Sequence, residues 1–371
     1  MKGSSEAGRL LALVDALAGR RVAIAGDLIA DEFIYGEIAR VSREAPVLIL
    51  NYDSTEIVPG GAGNAAGNVA SLGGAARLVA VAGRDETGRR LLGRLKSRRI
   101  DVGAVLRPAG YRTPTKTRIL AGGIHSAKQQ VVRIDRAAST AIDDKARAAF
   151  ESRVLRTVRG ADALLVSDYG SGLIRPQLIT EARRIFRLKA EATRAARRKP
   201  SRGLQNTTRG FRLQAEGVIM VDSRYNLLKF HGMTACTPNE SEVEQALGVT
   251  IGDNTRTLER AGRTLLARTR SAAVLITRGS RGMALFEPGR PTVHIPIAGS
   301  DQIADVTGAG DTVIATMTLA LSAGASFEDA ARLANHAGGL VVMKRGTATV
   351  SASELRYAIS GGLVGRAAGP A

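Results

Sequence analysis

The sequence predicts an α/β fold, with a mostly parallel central sheet covered by helices on both faces and a small inserted β-sheet lid. Three observations carry this. Short apolar runs recur along the 371 residues and alternate with helical patterns. Most of these runs are apolar throughout, as strands buried on both faces are. Two regions, 28–50 and 113–134, instead alternate apolar and polar residues and break the rhythm.

The first run, Val22-Ala23-Ile24-Ala25-Gly26-Asp27, reads as a buried strand delivering a carboxylate at its C-terminal end. Similar runs lie at 78–82, 163–167, 218–222 and 273–277. Helical patterns at 64–72, 86–96, 143–158, 240–247 and 255–268 separate many of them. Strands alternating with helices imply a parallel sheet, whose ligands gather at the carboxyl ends of the strands. The alternating segments 47–51, 117–120 and 130–134 are assigned to the lid. Its open β edge invites pairing with a second copy, so a homodimer through the lid is expected.

Composition narrows the class. Hydrophobic residues make up 44% of the chain, enough for a substantial core. A single cysteine, Cys236, excludes a disulfide framework and fits a cytoplasmic protein. No Cys/His cluster has zinc spacing. The N-terminus lacks an apolar signal core, and no run of about 18 apolar residues exists, so no membrane partner is expected. The formal charge of +19 by itself suggests an acidic partner such as nucleic acid. Between Ala182 and Gln214, however, eleven Lys and Arg face the lone acid Glu191, and the remainder of the chain carries only +9. This stretch holds an imperfect repeat, Phe186-Arg187-Leu188-Lys189-Ala190-Glu191 and Phe211-Arg212-Leu213-Gln214-Ala215-Glu216, where a short loop is expected. Residues 187–216 read as a surface insertion after a helix at 176–186, disordered or loosely helical, and nucleic acid is not the expected partner.

The strongest chemical signal is Asp305-Val306-Thr307-Gly308-Ala309-Gly310-Asp311-Thr312, followed by the apolar stretch 313–321. Gly308, Ala309 and Gly310 supply closely spaced backbone N–H groups at a helix start, which is an anion site. Asp311 would repel a phosphate there. Its sensible role is to accept a proton from a hydroxyl that attacks a phosphoryl group held by the amides. The second signal is Gly60-Gly61-Ala62-Gly63-Asn64-Ala65-Ala66-Gly67-Asn68, which lacks the spacing of a dinucleotide loop, and no P-loop is present. The third is Thr237-Pro238-Asn239-Glu240-Ser241-Glu242, a capped helix start with an acidic first turn.

Together these segments resemble the signatures of the ribokinase-like (PfkB) carbohydrate kinases. The resemblance implies a ribokinase-like fold over residues 10–360 and ATP as phosphoryl donor. It implies Asp311 as catalytic base, with Gly308, Ala309 and Gly310 around the transferred phosphoryl group. Gly60 and Gly61 bring backbone close to the sugar, and Asn64 binds its hydroxyls. The Asn-x-x-Glu motif maps onto Asn239 and Glu242, with Glu240 and Ser241 between them. Its Glu organises Mg²⁺ through water, consistent with the cation's preference for oxygen ligands. Thr277, Gly279 and Gly282 fall in the loop that covers the nucleotide, and Asn335 on the helix that lines the adenine pocket. His336 is assigned to packing, and Lys344-Arg345-Gly346-Thr347 to closure of the nucleotide site.

A narrower resemblance is to the heptose 7-phosphate kinases. It rests on Asp27, Asp31, Tyr35-Gly36, the run from Arg40 to Val47, Lys116-Thr117-Arg118, Gln129-Gln130-Val131-Val132-Arg133 and Ser167-Asp168-Tyr169. It implies phosphorylation of D-glycero-β-D-manno-heptose 7-phosphate at the anomeric oxygen, on the way to lipopolysaccharide. Asp27 and Asp168 sit after strands and are candidates to bind sugar hydroxyls, with Asp31 beside them. A substrate carrying a phosphate needs cations, and Lys116, Arg118 and Arg133 on the lid are the candidates. In many such kinases the domain precedes a nucleotidyltransferase; this chain resembles the stand-alone form, with residues 361–371 as a disordered tail. The relatives usually carry Asp-Pro-Lys-Gly where Asp222-Ser223-Arg224-Tyr225 stands, and Lys at Ser171; Arg224 is the candidate replacement for the first Lys. The alternatives are a related kinase for another sugar, or a nucleic-acid-binding protein on an inactive kinase fold.

Overall fold

The computed structural model describes residues 5–122, 128–137, 142–197, 217–299, 305–344 and 346–361. Its main sheet has eight strands: β1 (Arg21–Gly26), β4 (Ala75–Val79), β7 (Ala163–Asp168), β8 (Val218–Ser223), β9 (Ala235–Cys236), β10 (Ala273–Thr277), β11 (Met283–Phe286) and β12 (Val293–Ile295). Their order is β12-β11-β10-β9-β8-β7-β1-β4. Six strands run parallel, and β11 and β12 close one edge antiparallel.

Both faces are covered, and the pleat shows why the strands are apolar throughout. Val22 and Ile24 of β1 point into one core, shared with helices α1 (Glu6–Ala16), α2 (Ala62–Ser71), α8 (Ala309–Ser322), α9 (Phe327–Val341) and α10 (Ala352–Ile359). Ala23 and Ala25 point into the other, shared with α4 (Asp144–Gly160), α5 (Gln177–Arg197), α6 (Glu240–Leu247) and α7 (Thr255–Thr269). The remaining helix, α3 (Glu86–Ser97), buries Leu91 and Leu95 against the first core.

The lid is a separate four-stranded sheet in the order β3-β2-β5-β6. It comprises β2 (Leu28–Val41), β3 (Leu48–Gly61), β5 (Thr115–Gly122) and β6 (Gln129–Arg136). It is larger than expected. Strand β3 runs past 50 to Gly61, so the first two glycines of the segment 60–68 are the root of the lid hairpin, paired with Ile29 and Leu28. Gly61 needs its φ of +56°, and a side chain there would collide with the Asp27 carbonyl oxygen that accepts the Ala62 N–H.

Two expectations are corrected. The strand expected at 78–82 is found at Ala75–Val79, because its partner β1 ends at Gly26 and the pairing stops at Val79. The helix expected to end at 186 continues to Arg197. Ile179, Ala182, Phe186 and Ala190 are all buried at helical spacing, and Lys189 reaches the Ala161 carbonyl at 2.7 Å, so the first part of the basic stretch is packed helix. The rest of the insertion, 198–216, and the tail from 362 lie outside the described residues. Among the described residues no helix is long and apolar enough to cross a membrane.

Candidate active site

The parallel strands all end on one side, and the lid leans over that side. Between them lies a cleft of about 610 Å³. Its floor is the start of α8. Gly308 caps this helix in the left-handed conformation, with φ +81°. Ala309, Gly310 and Asp311 form its first turn; the Ala309 amide donates to the Val306 carbonyl at 3.3 Å, while the Gly310 and Asp311 amides have no helical partner. All four residues line the cleft.

Asp311 is 4% exposed. Its carboxylate accepts a hydrogen bond from Asn64 Nδ2 at 2.8 Å and a long one from the Tyr169 hydroxyl at 3.5 Å. Burial pushes its pKa up to about 7, against the Asn64 hydrogen bond; nearby Asp31 adds to the rise, and Tyr169 and Lys116 oppose it. A carboxylate poised there suits a general base near neutral pH. Gly308 is also a contact requirement, since a Cβ would lie 2.5 Å from Asn64 Nδ2.

The lid side of the cleft is cationic. Lys116, Arg118 and Arg133 line it, with Asp31. Arg118 is already paired with Asp31 at 2.6 Å, both largely buried, and Arg133 forms a two-pronged pair with Asp135. Lys116 and Arg224 have no ion pair among the described residues and sit over the Tyr169 ring at 5.1 and 6.0 Å. Gly61 lines the cleft, whereas Gly60 lies behind it under the Asp31 carboxylate. Asp27 and Asp168 do not line it. The Asp27 carboxylate is engaged by the Tyr169 amide and the Ser171 amide and hydroxyl, and Asp168 by the Ser223 hydroxyl at 2.7 Å and the Gly170 amide. The two serines that replace expected residues therefore hold these aspartates as loop-fixing acceptors.

At the other end, Asn239 caps α6 and Glu242 reciprocates to the Asn239 amide, a capping box that aims both residues at the cleft. Glu240 is drawn away into ion pairs with Arg278 and Arg281, and Ser241 does not line the cleft. Thr277, Gly279, Gly282 and Asn335 do, and Asn335 is fixed by a 2.7 Å bond to the Pro296 carbonyl. Met283, Ile297, Gly338 and Val342 give this end a flat apolar wall. The buried hydroxyls of Thr237 and Thr347 line it without a hydrogen-bond partner among the described residues.

Asp222 is the main residue that sequence reasoning missed. It lies at the end of β8 and lines the cleft. Burial holds its carboxyl well above the ordinary range, with Glu242 and Asp311 reinforcing the rise and Arg224 opposing it. Glu242 is raised too, mainly by burial. Its signal was the one used for Asp27, an acid ending an apolar run. Two carboxylates crowded into one cleft are the oxygen-rich chemistry that suits a hard divalent cation. Among the described residues no three His, Cys, Asp or Glu side chains are grouped to hold a metal directly, so the fit is to an ion held largely through water.

A family model described as pfkB family carbohydrate kinase matches residues 28–192 and 224–354. The chain belongs to the pfkB family of carbohydrate kinases. It is a sugar kinase by that membership, and ATP use goes with it. The unmatched residues 193–223 fall largely on the basic stretch. Among curated relatives, the bifunctional protein HldE of Desulfatibacillum aliphaticivorans is 36% identical over 337 residues, 91% of this chain and 62% of its own length. That of Caulobacter vibrioides is 38% identical over 343 residues, 92% of this chain and 63% of its own. The chain thus spans under two thirds of these relatives. Solved structures share the ribokinase-like fold. An Arabidopsis thaliana ribokinase complexed with ribose and ATP matches with a TM-score of 0.66 at 18% identity, covering 92% of this chain and 99% of that one. Phosphofructokinase-2 of Escherichia coli in complex with potassium matches at 0.67 and 18%, covering 92% and 98%.

Proposed function

We propose that this pfkB kinase transfers the γ-phosphoryl group of ATP to the anomeric hydroxyl of D-glycero-β-D-manno-heptose 7-phosphate, giving the 1,7-bisphosphate in the cytoplasm. Residues 10–360 would form the kinase domain. The observation that carries the reading is the juxtaposition, in one cleft, of Asp311 at a helix N-terminus with the cations Lys116, Arg118, Arg133 and Arg224. A base beside the amides of a helix N-terminus suits phosphoryl transfer, and a cationic lid suits an acceptor that already carries a phosphate. The likeness to HldE proteins supports the heptose.

Asp311 takes the proton of the anomeric hydroxyl as its oxygen bonds to the γ-phosphorus, and the bond to the departing ADP breaks. The amides of Gly308, Ala309 and Gly310 face the transferred group and stabilise its charge. Gly61 brings backbone against the sugar, and Asn64 holds Asp311 in its ionised form. Thr277, Gly279, Gly282 and Asn335 hold the nucleotide. Glu242 with Asp222 would hold Mg²⁺ through water; when bound, the ion neutralises charge on the phosphates. The lid presents exposed Ile38, Val41, Leu48, Tyr52, Val131 and Val132, which supports a homodimer through this sheet. Sedimentation at micromolar concentration is expected to give a dimer that Tyr52→Glu with Val132→Glu converts to monomer; a monomeric parent protein refutes the contact.

The substrate is tested by steady-state assay with ATP and a panel of sugars. Turnover with heptose 7-phosphate is expected to exceed that with ribose or fructose 6-phosphate by about 10²-fold or more, the discrimination available from buried polar contacts. Turnover with either of those sugars and none with the heptose overturns the assignment.

A further inference from the structure

Behind Asp311 lies a chain of three buried side chains, of which phosphoryl transfer as described above uses only Asn64, the one that meets the base. Asn64 is 1% exposed, and Asn68 and Thr312 are fully buried. The Thr312 hydroxyl donates to Asn68 Oδ1 at 3.0 Å. Asn68 Nδ2 donates to Asn64 Oδ1 at 3.3 Å and to the Asn64 carbonyl at 3.1 Å. Asn64 Nδ2 donates to Asp311 Oδ2 at 2.8 Å. Every link runs donor to acceptor in one direction and ends on the carboxylate.

An amide has a donor face and an acceptor face of nearly equal shape. The Asp311 carboxylate and the Gly308 carbonyl, 3.5 Å from Asn64 Nδ2, already favour the NH₂ face of Asn64, because an oxygen turned toward them would oppose two acceptors. Asn68 reinforces that choice from behind, because its NH₂ group can satisfy only the oxygen of Asn64. The Asn64 backbone carbonyl fixes Asn68 in turn, since only an NH₂ group can meet that oxygen, and the Thr312 hydroxyl, which also lies 3.2 Å from the Gly308 carbonyl, supports the Oδ1 left on the other side. Serial polarisation also strengthens the last donor. We propose that Asn68, anchored by the Asn64 carbonyl and supported by Thr312, is a positioning residue that locks the donor face of Asn64 onto Asp311. Asn68 touches neither the base nor the cleft and acts only through Asn64. This rests on the reading of Asp311 as the base.

Loss of the lock weakens a hydrogen bond to the ionised carboxylate, so the Asp311 titration moves to higher pH. Other groups facing Asp311 are Asp31 from β2, Lys116 from β5, Tyr169 beyond β7 and Asp222 at the end of β8. All remain in the variants, so a shift reports the amide chain.

The experiment compares the parent protein with Asn68→Leu, Thr312→Val and Thr312→Ser. It measures kcat against pH, the KM for ATP, and the Asp311 carboxylate titration by difference infrared spectroscopy with Asp311→Asn as the blank. Asn68→Leu is expected to raise the titration and the acid limb of kcat together by about one pH unit, which lowers kcat about tenfold below the midpoint, with KM for ATP within about twofold. Thr312→Val is expected to give a smaller shift in the same direction, and Thr312→Ser to restore the parent profile. If Asn68→Leu does not fold, the Thr312 pair decides. An Asp311 titration that moves in neither Asn68→Leu nor Thr312→Val overturns the lock. Near-parental turnover by Asp311→Asn overturns the base instead, and the titration comparison still judges the lock.

Discussion

Asp311→Asn is expected to lower kcat by about 10²–10⁴-fold, the range that a positioned general base contributes, while making the protein more stable above pH 7. The first effect follows from geometry. Asp311 is the carboxylate on the cleft floor beside the outward amides of α8, and asparagine keeps its shape but cannot take a proton. The second follows from linkage. The carboxyl titrates at about 7 in the folded protein against 3.8 for the free group, so the folded state binds this proton more tightly. Stability from this group is therefore full below about pH 4 and is lost as pH rises through 7. About three pH units correspond to a cost on the order of 4 kcal/mol for keeping the ionised base buried. Asparagine removes that cost. Denaturant unfolding at pH 8 is expected to show the variant as the more stable protein, with the gap closing toward pH 4. The parent kcat should fall as pH drops below 7. A variant with parental turnover, or one less stable at pH 8, would contradict this account of Asp311.

Much of this was legible in the sequence because the relevant residues obey short-range rules. Gly308 must precede a helix start and adopt positive φ, and Asp311 must follow within the first turn; both are spacing constraints within four residues. The capping box at Asn239 and Glu242 is equally local. The apolar runs gave the sheet because strands buried on both faces cannot be polar. What the sequence hid depends on partners far along the chain. Asn64 meets Asp311 across 247 positions, and Ser171 meets Asp27 across 144. The placement of Asp27 and Asp168 outside the cleft lining was hidden for that reason. Each looks like a carboxylate offered to a ligand, yet each is consumed by a serine and by turn amides. Helix α5 outran its expected end because the buried stripe through Phe186 and Ala190 continues it, and charge composition carries no sign of that stripe. Asp222 escaped because its importance comes from crowding with Glu242 and Asp311, which only the fold brings about.

The same separation of paired from unpaired groups decides which cations serve the two substrates. The lid offers three, but Arg118 and Arg133 are neutralised by Asp31 and Asp135. Lys116 and Arg224 are the cations lining the cleft without a carboxylate partner among the described residues, both held over the Tyr169 ring. Their neighbours differ. Burial lowers the pKa of Lys116, which feels Asp31 first, then Arg224, Arg133 and Asp135, so it gains most from a second negative charge. Arg224 lies toward Asp222 and Glu242, at the nucleotide end. A charge-assisted hydrogen bond contributes roughly 1.5–3 kcal/mol, or about 10–150-fold. Lys116→Ala is therefore expected to raise KM for the phosphorylated sugar by that factor while leaving KM for ATP within about twofold. Arg224→Ala is expected to act on ATP and on kcat, because its charge also offsets the Asp222 and Glu242 carboxylates. Arg133→Ala, which removes a cation already spent on Asp135, is expected to change KM less than threefold, in line with the small worth of exposed pairs. Steady-state kinetics with both substrates varied separates these cases. Equal effects of Lys116→Ala and Arg133→Ala on the sugar would mean that the lid acts as a diffuse positive field, and the assignment of Lys116 to the sugar phosphate would fall.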